Sequence, residues 1–395
     1  MQRIIFCLSA TLLLFIAACK KDKGDNKDTA QYPAILPFTT PEMETYGVGM
    51  VRNNNGRFTV QLVDKQDGGV LHFAKALSLR IDPSSTNIVA SQRQLTAGPS
   101  PISGSLHFDK LNSNSVSIAQ TKGAGDTVSF FTFHKFSEVL LPLEIRNTSE
   151  ANFELSKMIP VANGYLFIGS VLKNNQRDVC VIKYSKTLNR VWTKTFGGNL
   201  NDAGMDGVEL CDNNYGILAY TYSIGSGDRD IWYLKLNTNG DFISGTTYGG
   251  SGYEEPQQII NNGCDVYIAG HSASFGNPEH HGYLLKITDN GTKIWENTYG
   301  TGNHDGFQTV TFTADKSGLI AAGRSMQSTT GPEDLFIVCT DLNGNELWRK
   351  KYGEADLTEN PVAILADEEF YYVLCNRIDL TGKFTAVFIK DKLPQ

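Results

Sequence analysis

The chain has 395 residues, of which 41% are hydrophobic, 10% aromatic and only 19% charged, and it contains 38 glycines. Its net charge is −7, and removal of the first 18 residues, where Arg3 is the only charged residue, changes this to −8. This acidic balance, without a concentrated basic patch, excludes a nucleic-acid-binding surface. Abundant glycine and aromatic residues with few charges are typical of many short strands joined by tight turns.

The N-terminus has the pattern of an export signal. Arg3 precedes an apolar run over residues 4–18 that is too short to cross a bilayer as a helix. The run ends in Ile16-Ala-Ala-Cys19, which resembles the lipobox of bacterial lipoproteins; an ordinary signal with a chance cysteine is the alternative. The resemblance implies a signal peptide at 1–18 and a lipid on Cys19, the first residue of a charged, disordered tether at 19–40.

Lys20, not Asp, follows the cysteine. By resemblance to enterobacterial sorting, this implies an outer-membrane lipoprotein anchored through its lipid, and the leaflet it faces stays open.

Five cysteines follow the lipobox, and they show neither CxxC spacing nor an even number. Most lie within apolar strand-like runs, which favours buried thiols that pack as small hydrophobic side chains. A disulfide framework is typical of much smaller secreted domains. The residues are Cys180, Cys211, Cys264, Cys339 and Cys375.

An aromatic residue followed by glycine recurs about every 50 residues, which is the mark of a repeat fold. The aromatic residues are 52, 51 and 53 positions apart: Phe196, Tyr248, Tyr299 and Tyr352. Six residues after the first three stand the acids Asp202, Glu254 and Asp305. Acids that recur in every unit more often cap backbone N–H groups than form a binding ring, so we expect a structural role for them.

The unit over residues 305–353 shows four antiparallel strands, the last two joined by the hairpin signal Asn343-Gly344. Four strands in about 50 residues predict a propeller blade. The predicted strands are Phe307–Phe312, Leu319–Gly323, Leu335–Cys339 and Glu346–Tyr352. We therefore predict an all-β fold in which residues 41–395 form a single domain, a seven-bladed β-propeller of four-stranded antiparallel blades.

The last unit has only three predicted strands before the chain ends, the third at Thr385–Ile389. Near the start, Met43-Glu-Thr-Tyr46-Gly47 repeats the Thr-Tyr-Gly of another unit, and Tyr46 lies 150 residues, or three periods, before Phe196. We predict that this N-terminal segment is the strand that closes the last blade and protects its edge.

These units resemble the seven-bladed β-propeller repeats of the SBBP type, with a Gly-Asn turn, an Asp-aromatic strand, Trp, and Tyr-Gly-Gly before an acid. The resemblance covers about residues 150–355 well and the flanks weakly. It implies a propeller in an extracytoplasmic setting and no single activity. A second, weaker resemblance is to quinoprotein-type propellers, through Trp192, Trp295 and Trp348.

Candidate site residues are those that break the repeat near the longest loops, Ser272–His281 and Ser325–Glu333 of the fifth and sixth predicted blades. Four of the seven histidines lie there, with a tyrosine and an arginine close in register. We predict a ligand-binding rim formed by Tyr253, His271, His280, His281, His304 and Arg324. The histidine spacing matches no metal motif, so we expect no metal and no cofactor.

No recognised catalytic motif is present, which favours a non-enzymatic binding module for a glycan or an envelope protein at the bacterial surface. We expect it to act as a monomer. Two alternatives stay open. One is a scaffold that resembles the propeller lipoprotein of the outer-membrane barrel-assembly machinery, and the other is a polysaccharide-degrading enzyme.

Overall fold

The fold is seen in a computed structural model that describes residues 33–38, 43–54, 56–66, 72–81, 88–98, 103–109, 114–121, 127–137, 140–275, 280–300, 304–326 and 331–394. These residues belong to one compact unit, Tyr32–Gln395. The predicted signal peptide, Cys19 and most of the predicted tether lie outside the described residues. Among the described residues, no helix is long and apolar enough to span a membrane.

The described residues contain 28 strands and are all-β, as the sequence predicts. The first nine are β1 Ala34–Phe38, β2 Met43–Arg52, β3 Phe58–Gln66, β4 His72–Ile81, β5 Ile88–Gly98, β6 Ser103–Asp109, β7 Asn114–Thr121, β8 Val128–Ser137 and β9 Pro142–Ala151. The next eight are β10 Phe153–Val161, β11 Gly164–Lys173, β12 Gln176–Tyr184, β13 Arg190–Phe196, β14 Asp202–Glu209, β15 Tyr215–Thr221, β16 Asp230–Leu236 and β17 Phe242–Tyr248.

The remaining strands are β18 Glu254–Asn262, β19 Asp265–Ser272, β20 His281–Thr288, β21 Lys293–Tyr299, β22 Asp305–Phe312, β23 Gly318–Met326, β24 Glu333–Asp341, β25 Glu346–Tyr352, β26 Leu357–Ala366, β27 Phe370–Asp379 and β28 Phe384–Lys392.

The strands form a β-propeller of six sheets. Five sheets have four antiparallel strands in chain order: β6–β9, β10–β13, β14–β17, β18–β21 and β22–β25. The first strand of each group contacts the first strand of the next around a closed ring, and β26 contacts β2. Each strand runs from one rim of the ring to the other. Because the first strands contact one another, they line the centre of the ring, and the fourth strands lie at its circumference.

The sixth sheet has eight strands and corrects the predicted number of blades. It contains β2–β5 and β26–β28 with β1, and the two halves meet through one parallel pair, Thr45 with Thr385. The prediction of seven separate blades is therefore wrong: the structure has six blades, because β2 bonds directly to β28 and merges the first and last groups into one sheet.

The N-terminus does close the last group of strands, but with a different segment from the one predicted. β1 pairs antiparallel with β28 over all five residues, from Ala34 with Lys390 to Phe38 with Ala386. Part of the predicted tether at 19–40 is thus a strand of the propeller. Phe38 is buried in a hydrophobic core with Phe388.

The predicted closing segment, Met43–Gly47, is instead the start of β2. A short turn at Asn53–Arg57 folds β2 back onto β3, and the two pair from Met43 with Gln66 to Arg52 with Phe58. That local hairpin places Tyr46 opposite Val63 on the inner side of the sheet. The hairpin overrides the Thr-Tyr-Gly similarity, which on its own indicates an outer strand.

Residues that recur in each unit hold neighbouring sheets together. The Trp192 indole N–H donates to the carbonyl of Thr238 (3.2 Å), and the Trp295 indole N–H donates to that of Leu342 (3.0 Å). Likewise, the Tyr299 hydroxyl donates to the carbonyl of Gly344 (2.6 Å). In each case the fourth strand of one sheet bonds to a turn in the next sheet, which explains the repeated aromatic residues without a ligand.

The repeated acids have the structural role that the sequence indicates. Asp202 accepts hydrogen bonds from the Gly198 N–H (2.9 Å) and the Ser223 hydroxyl (2.7 Å). Glu254 accepts them from the Gly250 N–H (3.1 Å) and the Ser272 hydroxyl (2.7 Å). Both carboxylates are buried and fix the crossover between successive sheets, and Asp305 at the equivalent position is buried as well.

Two cysteines that we expected to be buried thiols are paired. Cys211 and Cys264 form a disulfide between the β14–β15 turn and the β18–β19 turn, at equivalent positions of adjacent sheets. Cys180, Cys339 and Cys375 are free and buried, as the interpretation as small hydrophobic side chains requires. The disulfide is a covalent link between two blades, on the rim away from the long loops.

Candidate functional site

A pocket of about 480 Å³ opens on the rim that carries the long loops, between the β18–β21 and β22–β25 sheets. In both sheets, its lining residues lie where the first and third strands begin and where the second strand ends. Its lining residues are Tyr253, Glu255, His271, His280, His304, Asp305, Gly306, Gln308, Arg324 and Glu333. Five of the six predicted site residues are thus brought together.

His281 is the predicted residue that does not line this pocket. It is the first residue of β20 and pairs with Ser272, whereas His280 immediately precedes the strand. Successive residues of an extended chain point to opposite sides, so the two adjacent histidines cannot both face one cavity. The prediction of His281 as a ligand-binding residue is not supported by its position.

Aromatic and imidazole rings form one wall of the pocket. His271 and His280 have ring centres 5.2 Å apart, and His280 stacks on His304 at 4.5 Å with 24° between the ring planes. Tyr253 stacks on His271 at 5.9 Å and 26°. Together these rings pack against one another and form one continuous wall of the pocket.

Backbone hydrogen bonds hold this wall in place. The Asp305 N–H donates to the carbonyl of His280 (2.8 Å), and the Met326 N–H donates to that of His304 (3.1 Å). His304 itself has a φ of +93°, a strained value for a residue with a side chain. Gly306 lies so close to His271 that a Cβ at this position would come within 3.2 Å of the His271 Cβ. Glycine therefore leaves room for the imidazole.

Two partly buried histidines of the wall have pKa values below the ordinary range, which favours the neutral imidazole at pH 7. Burial lowers the pKa of His271 to about 4, although the nearby Glu255 carboxylate acts in the opposite direction. Burial also lowers the pKa of His280, and the neighbouring His304 lowers it further. Each neutral imidazole offers one donor and one acceptor rather than a positive charge.

An ion pair lies behind the wall. The guanidinium of Arg229 contacts Glu255 (Nη2 to Oε1, 3.4 Å) and donates to the Tyr253 hydroxyl, which in turn donates to Glu255 Oε2 (2.7 Å). Burial alone would raise the pKa of Glu255, but Arg229 and the Tyr253 hydroxyl hold it below its ordinary value. Arg229 therefore fixes an ionised carboxylate and orients the tyrosine ring.

A second ion pair, between Arg324 Nη1 and Glu333 Oε2 at 2.6 Å, lies across the pocket. Several buried polar atoms at the site have no hydrogen-bond partner among the described residues: His280 Nδ1, Arg324 Nε and Gln308 Oε1. Buried polar groups are normally paired, so these three atoms are exceptions within the structure around the pocket.

Four residues of this arrangement are not among the residues predicted from the sequence: Arg229, Glu255, Gln308 and Glu333. A repeat alignment contains part of the signal. Thr221 pairs with Asp230, Ser272 with His281 and Ser325 with Asp334. Arg229, His280 and Glu333 therefore occupy equivalent positions where the third strand begins in three sheets. A position that changes between Arg, His and Glu while its neighbours repeat marks a site.

Metal binding finds no support in this geometry. Within the described ranges, no three or more His, Cys, Asp or Glu side chains are grouped so that they could hold a metal ion.

Solved structures of other proteins share this architecture. The β-propeller domain of the trilobed protease from Pyrococcus furiosus, described as having an open velcro topology, matches with a TM-score of 0.52 and 7% identity, over 90% of this chain and 97% of that one. Sqt1 from Chaetomium thermophilum gives 0.48 and 11%, over 87% and 85%. The Trypanosoma rangeli sialidase bound to the inhibitor DANA gives 0.44 and 9%, over 90% and 57%.

Fold and comparisons together define the chain as a β-propeller. At an identity of 7% the likeness to the protease domain shows the fold alone and carries no activity. No protein-family model matches the chain, and no curated protein matches it.

Proposed function

We propose that the chain is a non-enzymatic binding module whose pocket holds a neutral glycan. The observation that carries this proposal is a pocket of about 480 Å³ in which aromatic and imidazole rings are combined with polar side chains such as Gln308, Arg324 and Glu333. Sugars present apolar C–H faces that stack on flat rings and hydroxyl groups that both donate and accept hydrogen bonds. Pockets of a few hundred Å³ with few, well-placed polar groups are typical of small-ligand sites.

The charge balance favours a neutral ligand over an anionic one. Arg229 is paired with Glu255 and Arg324 with Glu333, while the histidines that burial keeps neutral add no positive charge. Asp305 also lines the pocket. An acidic sugar would therefore meet carboxylates without an unpaired cation to offset them.

We expect His271→Ala to lower the affinity for a neutral oligosaccharide at least about tenfold, because it removes a stacking face and a hydrogen-bonding group. The measurement is calorimetric titration with gluco-, manno-, xylo- and chito-oligosaccharides. The fold-loss caused by His271→Ala should be the same at pH 8 and at pH 6, because His271, with a pKa of about 4, remains neutral over this range.

Leu347→Ala, at an exposed position on the outer strand β25, is the control and should bind like the unaltered chain. Tighter binding of oligogalacturonate than of every neutral sugar would contradict the proposal. So would release of shorter sugars during incubation, which would favour the alternative of a polysaccharide-degrading enzyme.

We further propose that the chain is an SBBP-type lipoprotein of the outer membrane, anchored through Cys19. The disulfide between Cys211 and Cys264 supports a location outside the reducing cytoplasm. Cys19→Ala should abolish incorporation of radiolabelled palmitate and release the protein from the membrane fraction. A variant that is still labelled and still sediments with outer membranes would overturn the anchor. Cys7→Ala, within the predicted signal, is the control and should remain labelled.

The scaffold alternative makes a different prediction. Co-purification of barrel-assembly proteins with the intact chain, unchanged in His271→Ala, would favour an envelope scaffold over a glycan-binding module.

A further inference from the structure

The junction beside the pocket, between the β14–β17 and β18–β21 sheets, repeats the layout of the pocket with different residues. Tyr220 occupies the position of His271, one residue before the end of the second strand, and Arg229 occupies that of His280. Here the guanidinium fills the space, with its Cζ 3.8 Å from the centre of the Tyr220 ring. Arg229 is almost fully buried, its side chain being 9% exposed.

Tyr222 lies over this filled junction. Its ring packs edge-to-face on Tyr220 at 5.9 Å, and Cζ of Arg229 lies 5.8 Å from its centre. Its backbone N–H donates to the carbonyl of Asn201 (3.1 Å). Despite these contacts Tyr222 is 37% exposed. It therefore presents a supported, flat aromatic surface to solvent.

The exposed Tyr222 ring lies close to the pocket, because Tyr222 and the pocket residue Tyr253 both contact Arg229. The Tyr253 ring, which lines the pocket, has its centre 4.8 Å from the same Cζ. With Tyr222 at 5.8 Å, the two ring centres are no more than 10.6 Å apart. Two rings within this limit can be reached by neighbouring residues of one oligosaccharide.

We infer that Tyr222 is a second sugar-binding subsite, so that the ligand is an oligosaccharide of at least two residues rather than a monosaccharide. The inference rests on the proposed function, since the first residue is bound in the pocket. The next residue stacks its C–H face on the exposed ring of Tyr222. Because the Arg229 guanidinium fills the junction beneath this ring, the sugar residue at Tyr222 lies on the surface, whereas the one at Tyr253 lies in the pocket.

The test compares ligand lengths in the intact protein. Glucose, mannose, xylose and N-acetylglucosamine are titrated alongside the corresponding disaccharides and hexasaccharides of the neutral panel. For the series that binds, we expect Tyr222→Ala to weaken the hexasaccharide and disaccharide about tenfold and to leave the monosaccharide within about twofold. Tyr222→Phe, which keeps the ring, should retain the affinity for all lengths.

The control is Phe242→Ala, which removes another exposed aromatic ring, on the outer strand β17. Phe242→Ala should change neither the affinity for the monosaccharide nor that for the hexasaccharide. Melting temperatures should show that all the variants are folded. Equal affinity of the unaltered protein for monosaccharide and hexasaccharide, with Tyr222→Ala without effect and His271→Ala abolishing binding, would overturn the second subsite and leave the proposed function intact. Binding of none of these sugars would overturn both.

Discussion

A chain that begins at Thr39 should melt on the order of 10 °C below one that begins at Pro33, or be insoluble. The reason is the loss of β1, whose five residues all pair with β28. Phe38 is buried, and truncation of a buried Phe alone costs about 3–5 kcal/mol. Without β1, residues 384–392 expose an apolar edge that can pair with another chain.

Differential scanning calorimetry of the two chains measures this effect, and light scattering detects aggregation of the shorter one. Phe38→Ala in the longer chain should give part of the loss, because it removes the side chain but keeps the strand. Equal melting temperatures for the chains that begin at Pro33 and Thr39 would show that β1 does not stabilise the propeller.

Arg229→Met is expected to have the second largest effect, a loss of about 2–3 kcal/mol in the free energy of unfolding at pH 7.5. Removal of one member of a buried ion pair costs about 3–5 kcal/mol, and we take a smaller value because Glu255 is 25% exposed. The Tyr253 hydroxyl also loses a contact, so its ring becomes less well fixed and glycan affinity should fall as well.

The double variant Arg229→Met/Glu255→Gln should recover at least half of the lost stability, because it removes the carboxylate that the single variant leaves unpaired. The stability loss of the single variant Arg229→Met should also depend on pH. Without Arg229, burial raises the pKa of Glu255, so the penalty is full above that pKa and falls as the carboxylate takes up a proton.

In the unaltered chain the pKa of Glu255 is lowered, and the stability it contributes is present above its ordinary pKa and lost only as pH falls through the lowered value. The stability difference between the two proteins should therefore be smaller at pH 5 than at pH 7.5. A deficit that is the same at both pH values, and unchanged in the double variant, would show that Arg229 acts only through packing.

The repeat pattern predicts the all-β propeller fold because its signals are local. Gly344 has a φ of +81° in the turn before β25, as the Asn-Gly signal indicates, and Trp295 bonds to the corresponding turn of the next sheet. The number of blades and the identity of the closing strand depend instead on pairing between chain ends. Thr45 bonds to Thr385 across 340 residues, and no local pattern encodes that contact.

The candidate site likewise combines residues that a local sequence signal indicates with residues that only the folded chain brings together. His271, His304 and Arg324 stand out in the sequence because they lie close to the long loops and interrupt the repeat. Arg229 does not, since it belongs to the preceding sheet and reaches Glu255 only across the junction between sheets. The disulfide between Cys211 and Cys264 was missed for a related reason: each cysteine stands alone in its own unit, and only the stacking of adjacent sheets brings the pair together.

The closing strand also determines how the propeller responds to tension. The chain enters at Ala34, opposite Lys390 near the end of β28, whereas the pocket lies on the other rim, at the starts of β18 and β22. A ligand held in the pocket and pulled away from the N-terminus draws β1 along its own axis. All five pairs with β28 then resist the pull together instead of opening one after another. The lifetime of a stretched connection would thus be set by the rate at which β1 slides out, a kinetic property distinct from equilibrium stability.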